Sequence, residues 1–134
     1  MNYKIFISAY LILGSIVLLA FTSKFQHSPW EVPAKYVNLE NPYKADSESL
    51  KLGKQVYTKH CKSCHGNEGL GDGTKAAQLD TPCGDFTLEA FKAQTDGSIF
   101  YKTKFGRDDM PTFEKKIPYD EDIWHVVNYI RTFK

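Results

Sequence analysis

Two cysteines and a histidine lie close together near the middle of the sequence. Residues 61–65 have the order Cys-Lys-Ser-Cys-His, which is the C-x-x-C-H pattern of haem attachment. Two thiols three positions apart can reach the two vinyl groups of one porphyrin, and the residue that follows can direct its imidazole to the iron. The pattern therefore predicts one covalently bound haem c, attached through Cys61 and Cys64, with His65 as an iron ligand.

Other uses of these cysteines have less support. A thioredoxin-like C-x-x-C pair needs a βαβ setting, which the sequence does not indicate. A zinc site needs two further ligands. Cys83 and one of the other histidines (His27, His60 or His125) could supply them, but the chain has no second C-x-x-C and no H-x-x-x-H pattern. The third cysteine is Cys83, and an odd number does not indicate a set of disulfides. We expect Cys83 to be a small buried thiol.

A six-coordinate haem iron needs a second axial ligand, and Met110 is the only methionine apart from the initiator. It lies in the polar run GRDDMPTF at 106–113, where an apolar side chain has little reason to lie unless something buries it. An ordinary packed methionine is the alternative. His60 on the proximal side, His125 on the last helix and His27 near the N-terminus compete weakly. We predict that Met110 is the second ligand.

The elements that must position these residues are helical. Apolar residues at steps of three and four predict a first helix over residues 47–60, with Asp46 or Ser47 as its N-cap, leading directly into the cysteines. The last helix is predicted over 120–133, with three acidic residues in its first turn. Two short helices are expected near 87–93 and 97–105. No segment alternates with period two, so the fold is predicted to be all-α.

Residues 5–21, IFISAYLILGSIVLLAF, contain no charge and follow Lys4. Such a segment is typical of an export signal or a membrane anchor. The region after it only approximates a small-x-small cleavage pattern, so we expect an uncleaved anchor, with cleavage near Ser23 as the alternative. Either outcome places the remaining chain on the periplasmic side of the membrane, anchored to it or soluble in the periplasm.

Three parts follow from this organisation. Residues 1–25 form the signal or anchor segment, and residues 26–45, with three prolines and no periodicity, form a linker or wrapping arm. Residues 46–134 form the haem domain. Beyond residue 25 the chain has fifteen basic and sixteen acidic residues. The absence of a basic excess argues against nucleic acid as a partner.

The chain resembles a monohaem class I cytochrome c over residues 46–133. Besides CKSCHG, the resemblance rests on Gly53 and Tyr57 before the cysteines, the Met110-Pro111 loop, and WHVVNYIR at 124–131. In that family the first and last helices cross around one covalent haem. The resemblance implies that Gly53 permits the close approach of these helices. It also implies that the carbonyl of Pro82 accepts a hydrogen bond from the proximal imidazole.

These features predict a one-electron carrier in a respiratory chain, not an enzyme, because histidine and methionine together would leave the iron no open position for substrate. The expected partners are redox proteins, namely a quinol-oxidising complex and a terminal oxidase or reductase. One alternative is a fixed haem c subunit of a membrane respiratory complex, attached through its N-terminal segment. A haem enzyme or gas sensor, which would need an open distal position, is a weaker alternative.

Overall fold

The computed structural model describes residues 29–134, and residues 32–134 form one compact unit. The described residues contain helices and no strand, only an isolated bridge between Arg107 and Met110. The predicted all-α fold is confirmed. The helices are α1 (Ala34–Val37), α2 (Ser47–His60), α3 (Lys62–His65), α4 (Glu89–Lys92), α5 (Asp96–Phe105) and α6 (Asp120–Ile130), with a 3₁₀ turn at Ala76–Gln78.

The predicted signal or anchor over residues 1–25 lies outside the described residues and stays a prediction. Within residues 29–134, no helix is long and apolar enough to cross a bilayer.

The contact between α2 and α6 organises the fold. Gly53 of α2 lies against the α6 backbone so closely that a Cβ at this position would be 2.0 Å from the carbonyl oxygen of His125. Tyr57, one turn further along α2, is 1% exposed, and Val126 of α6 is fully buried. A glycine is therefore required at position 53 for the two helices to pack at this distance.

Capping residues explain where the helices begin and end. The Asp46 side chain accepts a hydrogen bond from the Ser49 backbone N–H at 2.9 Å, which confirms Asp46 as the N-cap of α2. Gly106, at a φ of 64°, ends α5 where the sequence predicts its end. Helix α6 ends at Ile130, three residues earlier than predicted, because Thr132 turns back to the carbonyl of Tyr129.

Residues 34–43 lie against α5 and α6. The ring of Tyr36 packs on that of Tyr101 with centroids 4.8 Å apart. The Asn41 side-chain amide donates to the carbonyl of Trp124 at 3.2 Å and to Oδ1 of Asn128 at 2.9 Å. This segment therefore packs against α5 and α6, as a wrapping arm would. The domain boundaries predicted at residues 25 and 45 stay predictions.

A buried polar network joins this arm to both long helices. The Asn128 side-chain amide donates to Ser49 Oγ at 2.8 Å and to the carbonyl of Tyr43 at 3.0 Å. Ser49 Oγ in turn lies 2.8 Å from His125 Nδ1. All three side chains of this network are buried, and each has a partner, as buried polar groups require.

Candidate functional site

The C-x-x-C-H residues occupy one tight helical turn directly after α2. The Cys61 backbone N–H donates to the carbonyl of Tyr57 at 2.8 Å, and the N–H of His65 donates to the carbonyl of Cys61 at 3.0 Å. Cys61 is buried and Cys64 is partly exposed. Burial raises the pKa of the Cys61 thiol to about 12, with a smaller contribution from Cys64. The turn thus presents two thiols and an imidazole within five residues.

A glycine-rich loop, residues 66–75, packs against this turn and bonds its backbone carbonyls. Backbone N–H groups of Gly71, Gly73 and Lys75 donate at 2.8–3.0 Å to the carbonyls of His65, Cys64 and Ser63, in that order. A Cβ on Gly73 would be 2.4 Å from the carbonyl oxygen of Ser63, so only glycine allows the loop to approach this closely. The Tyr57 hydroxyl donates to the carbonyl of Gly66 at 2.8 Å, which also ties the loop to α2.

The His65 imidazole is held in an apolar setting. The ring of Phe86 stacks on it with centroids 4.5 Å apart and an interplanar angle of 27°. Burial lowers the pKa of His65 to about 4, and an interaction with the Cys83 backbone opposes this only in part. The imidazole is therefore neutral at physiological pH, which is the form that binds a metal.

The structure does not place a hydrogen bond on Nδ1 of His65. This nitrogen is buried and has no partner with hydrogen-bond geometry among the described residues. Pro82 is exposed, and the backbone group that acts on the imidazole belongs to its neighbour Cys83. The hydrogen bond from His65 to the Pro82 carbonyl stays a prediction.

Met110 lies in the loop after α5, as predicted, and is half-buried against the hydrophobic core. Its backbone exchanges two hydrogen bonds of 2.9 Å with Arg107, which close the loop. The backbone N–H of Thr81 donates to Oδ2 of Asp109 at 2.7 Å, so the Met110 loop contacts the segment that leads into Pro82. The fold thus brings the two loops together, while ligation by Met110 stays a prediction.

Cys83 is partly exposed, which corrects the expectation of a buried thiol. Its side chain lies beside Cys64, because its segment curves back to the attachment turn. Burial and the neighbouring Cys64 thiol both raise the pKa of Cys83. Neither this contact nor the Phe86 stack could be predicted from spacing, since both residues follow an irregular loop of variable geometry.

The other described histidines have their own partners. His125 is 5% exposed and bonds Ser49, and the half-buried His60 meets the edge of the Phe113 ring with centroids 6.0 Å apart. His27 lies outside the described residues. Residues 29–134 contain no group of three or more His, Cys, Asp or Glu side chains arranged to hold a metal ion.

These residues fit a covalently held haem. Cys61 and Cys64 supply thiols on one turn, a neutral His65 supplies the imidazole, and glycines allow the following loop to close behind them. The fit depends on the chemistry of this donor set, namely two thiols and a neutral, buried imidazole on one turn.

Comparison with known proteins agrees with this interpretation. The family model of cytochrome c oxidase, cbb3-type, subunit III matches residues 48–130. A chain of the reducing HAO-like protein complex of Kuenenia stuttgartiensis has a similar structure, with a TM-score of 0.62 and 25% sequence identity. The match covers 81% of this chain and 52% of that one, so this chain spans about half the length of its structural neighbour. No curated protein matches the sequence.

The sequence pattern, the fold and the family match concern the same residues. The attachment turn lies at 61–65, inside the matched range 48–130, and the helices that enclose it are the first and last of that range. The chain belongs to the cytochrome c family described as cytochrome c oxidase, cbb3-type, subunit III, and its cofactor is a covalently bound haem c.

Proposed function

We propose that the protein is a one-electron carrier of a respiratory chain, acting on the periplasmic side of the membrane, with His65 and Met110 as axial ligands. The observation that supports this most is the setting of Met110. It is the one internal methionine, it is half-buried against the core, and its loop is fixed to the segment before Pro82 by the bond from Thr81 to Asp109.

A bound haem c supplies a reversible one-electron iron couple. The residues of this chain perform the remaining tasks. Cys61 and Cys64 hold the porphyrin permanently, so it is not lost when its oxidation state changes. His65, kept neutral by burial, offers a nitrogen lone pair, and Met110 offers a soft, neutral sulfur that favours the ferrous state. With both ligands in place, the iron has no open position for a substrate.

The exposure of the attachment turn suits electron exchange. Cys64 is partly exposed while Cys61 is buried, so these cysteines would hold the group with one side near the protein surface. Lys62 lies in the attachment turn and is exposed. Lys75 is also exposed, and its backbone N–H donates to the carbonyl of Ser63 in that turn, whereas Lys104 is engaged with Asp120 at 2.7 Å. A small exposed edge with a few charges fits the weak, transient docking of redox partners.

The test compares wild type with Met110→Ala and Met110→His. We expect a low-spin wild type whose reduced form resists carbon monoxide. The alanine variant should be partly high-spin and bind carbon monoxide readily, because it opens a coordination position. The histidine variant should stay low-spin at a lower reduction potential, because imidazole stabilises ferric iron better than a thioether does.

Leu88→Ala is the matched control, since Leu88 is an apolar residue with 56% exposure at the start of α4. It should leave the spectrum unchanged. A wild type that binds carbon monoxide as fast as Met110→Ala would contradict methionine ligation and favour an enzyme or gas sensor. Acid-acetone extraction supplies the independent check of covalent attachment, because the chain should keep the mass of one haem.

A second candidate is a fixed haem c subunit of a membrane respiratory complex. The description of the family as an oxidase subunit favours it, and so does the structural neighbour, which comes from a redox complex. Detergent extraction followed by co-purification separates the two candidates. A retained anchor predicts recovery with membranes and a mass that includes the first 25 residues, whereas a soluble protein that begins near Ser23 indicates cleavage.

A further inference from the structure

The aromatic ring of Phe86 covers one face of the proximal histidine. The two rings are nearly parallel, at 27°, and their centroids are 4.5 Å apart. Phe86 is 9% exposed, so the contact is shielded from water. A histidine that binds a metal is ordinarily oriented by a hydrogen bond from its second nitrogen. Nδ1 of His65 has no partner with hydrogen-bond geometry among the described residues, although the Cys83 backbone acts on the imidazole. The stack with Phe86 is therefore a further contact that restrains the ring.

Phe86 is itself fixed from three directions. Its other neighbours in the stack are Phe91 of α4, at 4.5 Å and 27°, and Phe133 near the C-terminus, at 6.4 Å and 26°. Its backbone N–H donates to the carbonyl of Gly69 at 2.7 Å. A Cβ on Gly69 would lie 3.1 Å from Cδ2 of Phe86, so the loop closes against this ring. Phe86 is therefore rigid enough to hold another side chain in place.

We propose that Phe86 is the positioning residue that fixes the plane of the His65 imidazole relative to the haem. The proposal rests on the proposed function only in taking His65 as an axial ligand. A flat ring packed against the imidazole face opposes rotation about the Cβ–Cγ bond, because rotation would drive the imidazole edge into the phenyl ring.

The test is proton NMR of the ferric holoprotein with cyanide bound in place of Met110. Cyanide is axially symmetric, so the hyperfine shifts of the four haem methyl groups then report the orientation of the imidazole plane of His65 alone. Phe86→Leu keeps an apolar side chain and removes the flat face. We expect it to change the order or the spread of the methyl shifts while the haem stays low-spin. The control is Phe100→Leu, because Phe100 is also buried but stacks on Trp124 and not on His65. The control should keep the wild-type order.

Phe91→Leu provides a second measurement if Phe86→Leu does not accumulate as folded protein. It removes the support of Phe86 and leaves the His65 contact, so a smaller change of the methyl shifts is expected. Wild-type shifts in Phe86→Leu, or in Phe91→Leu when only that variant folds, would overturn the proposal. Failure of the proposed function would instead show in the wild type, as a high-spin spectrum or a haem lost on extraction.

Discussion

Replacing Gly53 by alanine tests the contact that organises the fold. At an exposed helical position this change stabilises a protein by about 1 kcal/mol, because alanine is the better helix former. At position 53 the added Cβ would be 2.0 Å from the carbonyl oxygen of His125, 2.6 Å from its carbonyl carbon and 2.9 Å from Cβ of Tyr129. The obstacles are mainly backbone atoms, which no side-chain rotation can move. We therefore expect Gly53→Ala to destabilise the protein instead of stabilising it.

The magnitude follows from the displacement required. An ordinary contact begins at 3.4 Å, so α2 and α6 must separate by about 1.4 Å along this direction. Overpacking of a core costs about 1–3 kcal/mol, and a backbone clash belongs at the upper end of that range. After the gain of about 1 kcal/mol in helix propensity, the net loss is about 2 kcal/mol. For a domain of this size, that corresponds to a fall in Tm of about 8–16 °C.

The assay is urea unfolding of the holoprotein followed by circular dichroism at the helix band. Lys54→Ala is the control, since Lys54 is exposed on the same helix and its loss should change stability by less than about 0.5 kcal/mol. Equal or greater stability of Gly53→Ala than of wild type would refute the close approach of α2 and α6.

Two further predictions concern groups near the attachment turn. Tyr57→Phe removes the bond to the Gly66 carbonyl and should cost about 1 kcal/mol at neutral pH. Burial raises the pKa of Tyr57 above its ordinary value of 10.0, so this stability is complete below pH 10.0 and declines as the pH rises further. Urea unfolding at neutral pH and above pH 10.0 should show that the difference in unfolding free energy between wild type and Tyr57→Phe shrinks at the higher pH. A difference that stays constant would contradict the burial argument. Titration of the folded holoprotein should find one thiol, Cys83, that reacts slowly at neutral pH because its pKa is raised. Cys83→Ser should abolish the reaction, and a second reactive thiol would mean an unattached Cys61 or Cys64.

The long helices could be predicted because their signals are local. Asp46 caps α2 through a side chain three residues from its donor, and Gly106 ends α5 through its own backbone conformation. The close approach at Gly53 follows from resemblance, since helical spacing alone says only that the residue faces the core. The position of Met110 in a loop between two helices was predicted in the same way, from local composition.

The contacts around His65 could not be predicted, because they depend on the path of an irregular loop. Phe86 follows His65 by twenty-one positions, and no periodicity relates the two residues. The resemblance indicates the Pro82 carbonyl as the acceptor for the imidazole, whereas in the structure the backbone of the next residue, Cys83, acts on it. A difference of one residue in an irregular loop cannot be predicted from spacing. Helix α1 was missed for a related reason: its four residues are too few for a periodic pattern, and it packs through Tyr36.

The bond between Asn41 and Asn128 has a consequence for the order of folding during synthesis. These residues are 87 positions apart, and the helix that carries Asn128 is also the partner of Gly53. Until the ribosome has released residues 120–130, α2 lacks its α6 partner and the Asn41 side chain lacks its hydrogen-bond acceptors. Closing so long a loop carries its entropic cost before any of these contacts form. The nascent chain thus presents its haem-attachment turn in a domain that stays open until α6 has emerged.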